Sequence, residues 1–170
     1  MLIKKIFFTI VVLTFSTVNA GIKIEHWLTA DGAKVYFVEN HDLPMLDISI
    51  SFKAGSARDT LKDNGIASLT NHLILLGSGG VDEVDLANQF TDIGAQLDSS
   101  FDQDKSSFSL RTLSEKKDKA IQLFNLVLHK PDFNGEVITR EKKRYFASIR
   151  QGETEPSSIA SKAFMKAIYA

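Results

Sequence analysis

Leu46-Asp47-Ile48-Ser49-Ile50-Ser51-Phe52-Lys53, followed shortly by Asn64-Gly65-Ile66-Ala67-Ser68-Leu69-Thr70-Asn71-His72-Leu73, is where the chain changes period. In the first stretch Leu46, Ile48, Ile50 and Phe52 alternate with Asp47, Ser49, Ser51 and Lys53. A period of two predicts a strand with one buried face. Pro44 stands just ahead of it and marks the edge of the element, because proline has no N–H for a central ladder. In the second stretch Ile66, Leu69, Leu73 and, beyond it, Leu76 recur at threes and fours, which predicts a helix ending near Gly77. The loop between, Ala54–Gly65, is charged and carries two glycines.

Working outward, Ser78-Gly79-Gly80 reads as a turn, and a second helix follows with Asp82 as its cap, Val84, Ala87 and Phe90 as its stripe and Gly94 as its stop. Gln96–Phe101 and Ser106–Thr112 read as strands around Asp102–Lys105. A helix from about Ser114, capped by that serine, presents Ala120, Ile121, Phe124 and Val127; Lys117 at the third helical position leaves no capping box. Pro131-Asp132 interrupts, Gly135 or Glu136 opens a helix to about Arg150, and Ser158–Ala170 is a last helical segment without a stop signal. Upstream, Ile22–Leu28 and Lys34–Val38 flank an Asp31-Gly32 hairpin turn. Strands, then helices, then strands and helices again predict an α+β fold, with an antiparallel-leaning or mixed sheet covered by helices. The phenylalanines at 90, 101, 108, 124, 133 and 146 are expected in its core.

Composition narrows the chemistry. With 170 residues, 44% of them hydrophobic and 12 of them Phe, the chain has the length and apolar content for a core. Twenty Lys and Arg against 21 Asp and Glu give no basic excess that a nucleic acid would require. The absence of cysteine excludes disulfides, thiolate metal sites and a thiol nucleophile. The first twenty residues have the three parts of an export signal: Lys4 and Lys5, the apolar run Ile6–Phe15, and Val18 and Ala20 placed for cleavage ahead of Gly21. That run is too short to span a bilayer, and no cysteine stands at the cut to carry a lipid. The expectation is residues 1–20 as signal peptide, 21–170 as the exported domain, location in a periplasm or outside the cell, and no stable membrane anchor after cleavage.

The chemistry centres on Ser68, Asn71 and His72. Residues 68 and 72 share a helix face, with residue 71 beside it. Two histidines there would bind zinc, and a glutamate at 71 would take the proton of a metal-bound water. Serine is a poor zinc ligand and an amide is no base, so His72 reads as a hydrogen-bonded histidine beside the core. Ser68 with His72 lacks the Gly-x-Ser-x-Gly elbow of a serine hydrolase. Gly77-Ser78-Gly79-Gly80 lacks the Gly-Lys-Ser/Thr end of a phosphate loop, and Asp98, Asp102 and Asp104 lack calcium-loop spacing. Arg140, Lys142, Lys143, Arg144 and Arg150 around Glu141 read as a solvated helix face.

The Asn64–Leu73 stretch resembles the zinc helix of the inverzincin peptidases, the insulinase, pitrilysin and mitochondrial-processing-peptidase family, which carries His-x-x-Glu-His after a Gly-x-Ala lead. The Leu28–Glu39 hairpin, the Leu46–Asp59 strand with its Gly55-Ser56 loop, Phe90–Leu97 with its Gly94-Ala95, and Phe133–Ser148 resemble further parts of that family in the same order. The resemblance implies a metallopeptidase-like fold of which this chain covers part of the first half. Its first zinc histidine falls on Ser68, its general base on Asn71, its second zinc histidine on His72 and its distal ligand glutamate on Ser148. A supporting carboxylate falls near Glu141, to which no role is assigned; Glu153 and Glu155 are the other carboxylates that could substitute for a ligand. His72 alone keeps a ligand-type side chain. The resemblance therefore implies no catalytic residue, no bound metal and no cofactor. Two functions stand open: a non-catalytic partner, substrate-binding subunit or remnant of an exported zinc protease, or an active zinc endopeptidase completed by a partner chain. The partner implied is a full-length peptidase homologue or the missing second half, and the substrate a polypeptide.

Overall fold

The structure, a computed structural model, describes residues 23–169. The expected signal segment, with its cleavage site at Ala20, lies outside the described residues. The chain divides between Leu43 and Pro44 into two units. In the first, β1 (Ile24–Leu28) and β2 (Lys34–Val38) form the expected antiparallel hairpin, pairing Ile24 with Val38 and Leu28 with Lys34. Its turn closes through the Gly32 N–H on the Thr29 carbonyl, at 3.0 Å. Gly32 at φ +84° takes the left-handed position that an L side chain adopts at a cost.

The second unit is built on a three-stranded sheet. β3 (Met45–Phe52) and β4 (Gln96–Phe101) each pair antiparallel with the central β5 (Ser106–Leu113). Every pairing is antiparallel, so of the two expected sheet types the antiparallel one is present. Five helices accompany it: α1 (Ile66–Leu73), α2 (Glu83–Asp92), α3 (Lys117–His129), α4 (Gly135–Thr154) and α5 (Pro156–Tyr169). Phe108 and Leu110 of β5 meet Leu86 and Phe90 of α2 and Ala120, Leu123, Phe124 and Val127 of α3, with Ile48, Ile50 and Leu97 packed around them. Each large side chain so buried contributes about 1.5–3 kcal/mol. The opposite face shows Asp47 and Arg111, directly across the ladder from each other and ion-paired at 2.6 Å.

Several details differ from the sequence expectation. On α2 the stripe is Leu86 and Phe90, while Val84 and Ala87 are exposed. Both pairs fit a helical period, and the pair with the larger area wins the core. On α3 Leu123 replaces Ile121, and Ser114 opens a short 3₁₀ turn instead of capping; the cap position is Lys116, with no side-chain bond. α1 ends at Leu73, before Leu76, and Ile66 is exposed. Of the expected core phenylalanines, 90, 108 and 124 are buried, Phe101 is half-buried, and Phe133 and Phe146 are exposed. Phe133 sits at φ +45° in the tight link into α4, where the reversal turns its side chain toward solvent.

That link fixes where the site lies. The Gly79 N–H donates to the Lys130 carbonyl (2.8 Å), the Asp132 N–H to the Gly77 carbonyl (3.1 Å), and the Asp132 carboxylate accepts from the Gly80 N–H at 2.9 Å. A Cβ at Gly79 would stand 2.7 Å from Leu126 Cδ1, so a side chain there would displace that leucine and, at φ +63°, strain the turn. The turn after α1 is thereby tied to the start of α4.

Candidate functional site

α1 begins at Gly65, left-handed at φ +92°, with no side-chain cap of its own. Asp59 supplies what is missing: its carboxylate accepts from the Gly65 N–H at 2.9 Å and the Ala67 N–H at 3.3 Å. This short helix carries Ser68, Asn71 and His72. Asn71 is buried and faces the sheet, where its amide nitrogen donates to Ser106 Oγ at 2.6 Å and to the Ser100 carbonyl at 3.3 Å. The bond to the Ser100 carbonyl needs an N–H, whereas the Ser106 hydroxyl could also donate. A carboxylate at this place would have nothing to donate and would face the Ser100 carbonyl.

His72 turns the other way, toward α4. Its Nε2 lies 3.1 Å from Glu141 Oε2 and its ring 6.1 Å from that of Tyr145. Glu141 is 1% exposed and is the only buried side chain of the 20-residue α4. Its Oε1 accepts from Arg140 Nε at 2.6 Å and Arg144 Nη1 at 3.1 Å, and Arg140 reaches on to Glu83 of α2. Burial pushes the Glu141 pKa up. The hydrogen bonds donated by Arg140 and His72 and the charges of Arg144 and Arg140 outweigh it and hold the group below the ordinary carboxylate range. Against that ionised carboxylate, His72 Nε2 is the proton donor.

The structure brings together two of the sequence candidates, His72 and the unassigned Glu141. Ser68 is half-buried, and no hydrogen bond among the described residues joins it to His72. Ser148 is exposed on α4. Glu153 lies more than three turns beyond Glu141, about 18 Å along the axis. Glu155 ends the helix and accepts from Ser158 instead. The five bases of the run are all exposed, as expected, and Arg140 and Arg144 also pair with the buried Glu141. The sequence shows one acid amid five bases, with arginines at positions −1 and +3 on the helix, which marks an ion pair without saying that the acid points inward. Asp102 accepts from the Asp104 and Lys105 N–H groups, which lower its pKa; it shapes the β4–β5 turn. An open hollow of about 910 Å³ runs past Asn134, Thr139, Arg140, Lys143 and Arg144 but does not include Ser68, His72 or Ser148.

The donor set does not fit the zinc implied by the resemblance. Asn71 and His72 are committed to protein partners, Ser68 and Ser148 offer hydroxyls, and the described residues hold no group of three or more His, Cys, Asp or Glu able to hold a metal.

The family pattern described as Insulinase (Peptidase family M16) matches residues 34–170. An "Uncharacterized zinc protease" of Rickettsia felis is 23% identical over 135 residues, which are 78% of this chain and 33% of that one. The "Non-peptidase homolog YmxG" of Helicobacter pylori is 22% identical over 167 residues, 98% of this chain and 39% of its own length. Among solved structures, the peptidase M16 inactive domain from Pseudomonas fluorescens superposes with a TM-score of 0.81 at 36% identity, covering 85% of this chain and 35% of that one. The chain therefore spans between a third and two-fifths of the length of these three relatives.

Proposed function

The chain belongs to the insulinase family, peptidase family M16, and from that premise we propose that it is a non-catalytic, peptidase-like protein that serves as a partner or substrate-binding portion of an exported zinc protease. One observation carries the reading: the helix that would hold the metal and the base is bonded into the protein by those very positions. Asn71 anchors it to the sheet, and His72 anchors it to Glu141. We assign Ser68, Asn71 and Ser148 as the three positions that no longer carry the side chain catalysis requires, with His72 as the surviving ligand type. A proton acceptor at 71 and two of the three metal donors, at 68 and 148, are missing, so the residues of this chain cannot activate a water there.

The inactive M16 domain from Pseudomonas fluorescens and the non-peptidase homologue of Helicobacter pylori support the non-catalytic part of this reading. The tripartite pattern of residues 1–20 supports export, and β4, which among the described residues has a strand neighbour on one side only, suits an extended polypeptide. The partner proposed is a full-length family member or the portion of the fold that this chain does not span.

The test is an assay of the full chain with unstructured fluorogenic peptides, with and without added zinc, followed by size-exclusion chromatography with a full-length homologue from the same cell. The expected result is no cleavage above the blank and co-elution with the homologue. Zinc-dependent, chelator-sensitive cleavage would overturn the reading.

A further inference from the structure

α5 presents an apolar face to solvent and a serine to its neighbour. Ala160, Ala163, Phe164, Ala167 and Ile168 recur at threes and fours and share one side of the helix. The residue that meets α4 is Ser158: a Cβ at Gly152 would lie 3.9 Å from its Oγ, and it is the one residue of α5, among those described, that is not exposed. Ala160 and Ala167 stand on the opposite side of the helix from Ser158, so the apolar face points away from α4. Phe164 is 65% exposed, Ile168 is exposed too, and α5 buries no side chain. A contiguous face of this kind is the mark of an interaction surface.

Charge separates this segment from the rest of its unit. Residues 142–170 hold six Lys and Arg and two Glu, whereas residues 44–141 hold ten Lys and Arg and 15 Asp and Glu. On α5 the charges are Lys162 and Lys166, with no acid; they stand beside Ile159 and Ala163, along one border of the apolar face. α2 is the reverse. Asp82 at its cap, Glu83, Asp85 and Asp92 have no base among them. Its second stripe, Val84 and Ala87, stays outside the core, with Val84 66% exposed. Arg140 occupies Glu83, which leaves Asp85 and Asp92 exposed along one border of that stripe.

We propose that the apolar face of α5 docks on the exposed face of α2 in a second copy of this chain, with Lys162 and Lys166 against Asp85 and Asp92. Charge complementarity selects the occupant: an apolar helix face with a basic border fits one with an acidic border, and this chain carries both. Each copy offers one face of each kind, so two copies satisfy both contacts in a two-fold pair. Phe164 and Ile168 supply apolar area to Val84 and Ala87, and the charges fix the register. The two lysines lie about 6 Å apart along their axis and the two aspartates about 10 Å, a difference that flexible lysine side chains span. Ser68, Asn71, His72 and Ser148 take no part, so the pairing stands or falls apart from the non-catalytic reading.

The experiment is light scattering of the full chain across a concentration series, with two charge-reversed variants, Lys162→Glu/Lys166→Glu and Asp85→Lys/Asp92→Lys. All four positions are exposed, and circular dichroism confirms that each variant is folded. Wild type should show a dimer mass that dissociates on dilution, with affinity falling about tenfold as salt rises from about 50 to about 500 mM. Each variant alone should be monomeric, because like charges then face each other. An equimolar mixture of the two should regain the dimer, since each α5 then meets an α2 of opposite sign. Should a reversed variant fail to fold, the salt series and Phe164→Ser, which removes apolar area at an exposed position, carry the test; a dimer indifferent to both would overturn the proposal. Wild type that is monomeric at every concentration, variants that still dimerise, or a mixture that does not pair would overturn it as well. So would a chain that stays monomeric until a full-length homologue or anionic lipid vesicles are added, because the α5 face would then belong to that occupant.

Discussion

α3 and α4 follow one another in the chain and are held by opposite means. α3 buries Ala120, Leu123, Phe124 and Val127 against Phe108 and Leu110, a contact driven by apolar area and indifferent to charge. α4 fully buries Glu141 alone, with Val137, Ile138 and Tyr145 half-buried. Apolar packing is non-directional and tolerates small shifts, whereas a buried carboxylate is stable only while each donor keeps its place. The contrast explains how a fold can lose its metal site and keep its helix arrangement. The core on α2 and α3 is apolar and contains no position of the metal pattern, while the α1–α4 contact runs through His72 and Glu141.

Substitutions sharpen this contrast, beginning with the largest effect. Phe124→Ala should lower global stability by about 3–5 kcal/mol, read from denaturant unfolding, because it leaves a cavity beneath the whole sheet. Asn71→Glu, which restores the residue type the family uses as a base, should be nearly as harmful, at about 3 kcal/mol, since it buries a charge that faces the Ser100 carbonyl and has the Ser106 hydroxyl as its one donor. Restoring the motif therefore destabilises the chain before it can rebuild a site. Glu141→Gln should cost about 1.5–3 kcal/mol, the range for hydrogen bonds to a charged group.

Acid separates the two helices further. The folded-state pKa of Glu141 is lowered, so its contribution is complete above the ordinary glutamate value of about 4.3 and is lost as pH falls through the folded value. The gap in melting temperature between wild type and Glu141→Gln should close below about pH 4. For Phe124→Ala the gap should not depend on pH. A Glu141→Gln gap that persisted in acid would show that the carboxylate acts by shape and not by charge.

What the sequence made legible follows from which forces leave a pattern. Leu46–Lys53, Gln96–Phe101 and Ser106–Thr112 announced their strands because a sheet with one buried face forces alternation, and their bounds fall within a residue of the observed ones. Helix phase was less readable, since Val84-Ala87 and Leu86-Phe90 both satisfy the period and only the completed core chooses between them. The degenerate site was readable at Ser68 and Asn71 because a missing donor is visible in a single letter. Glu141 was not. Its burial depends on His72, 69 positions away, and no local pattern in a basic helix distinguishes an acid that points inward from one that points out.

The central claim is that the positions of a peptidase metal site now serve as fasteners, and zinc stoichiometry tests it most directly. Elemental analysis of the full chain, purified without chelator and dialysed against micromolar zinc, should find far less than one equivalent bound. Its melting temperature should be the same with zinc and with chelator. About one zinc per chain, lost with His72→Ala, would contradict the account.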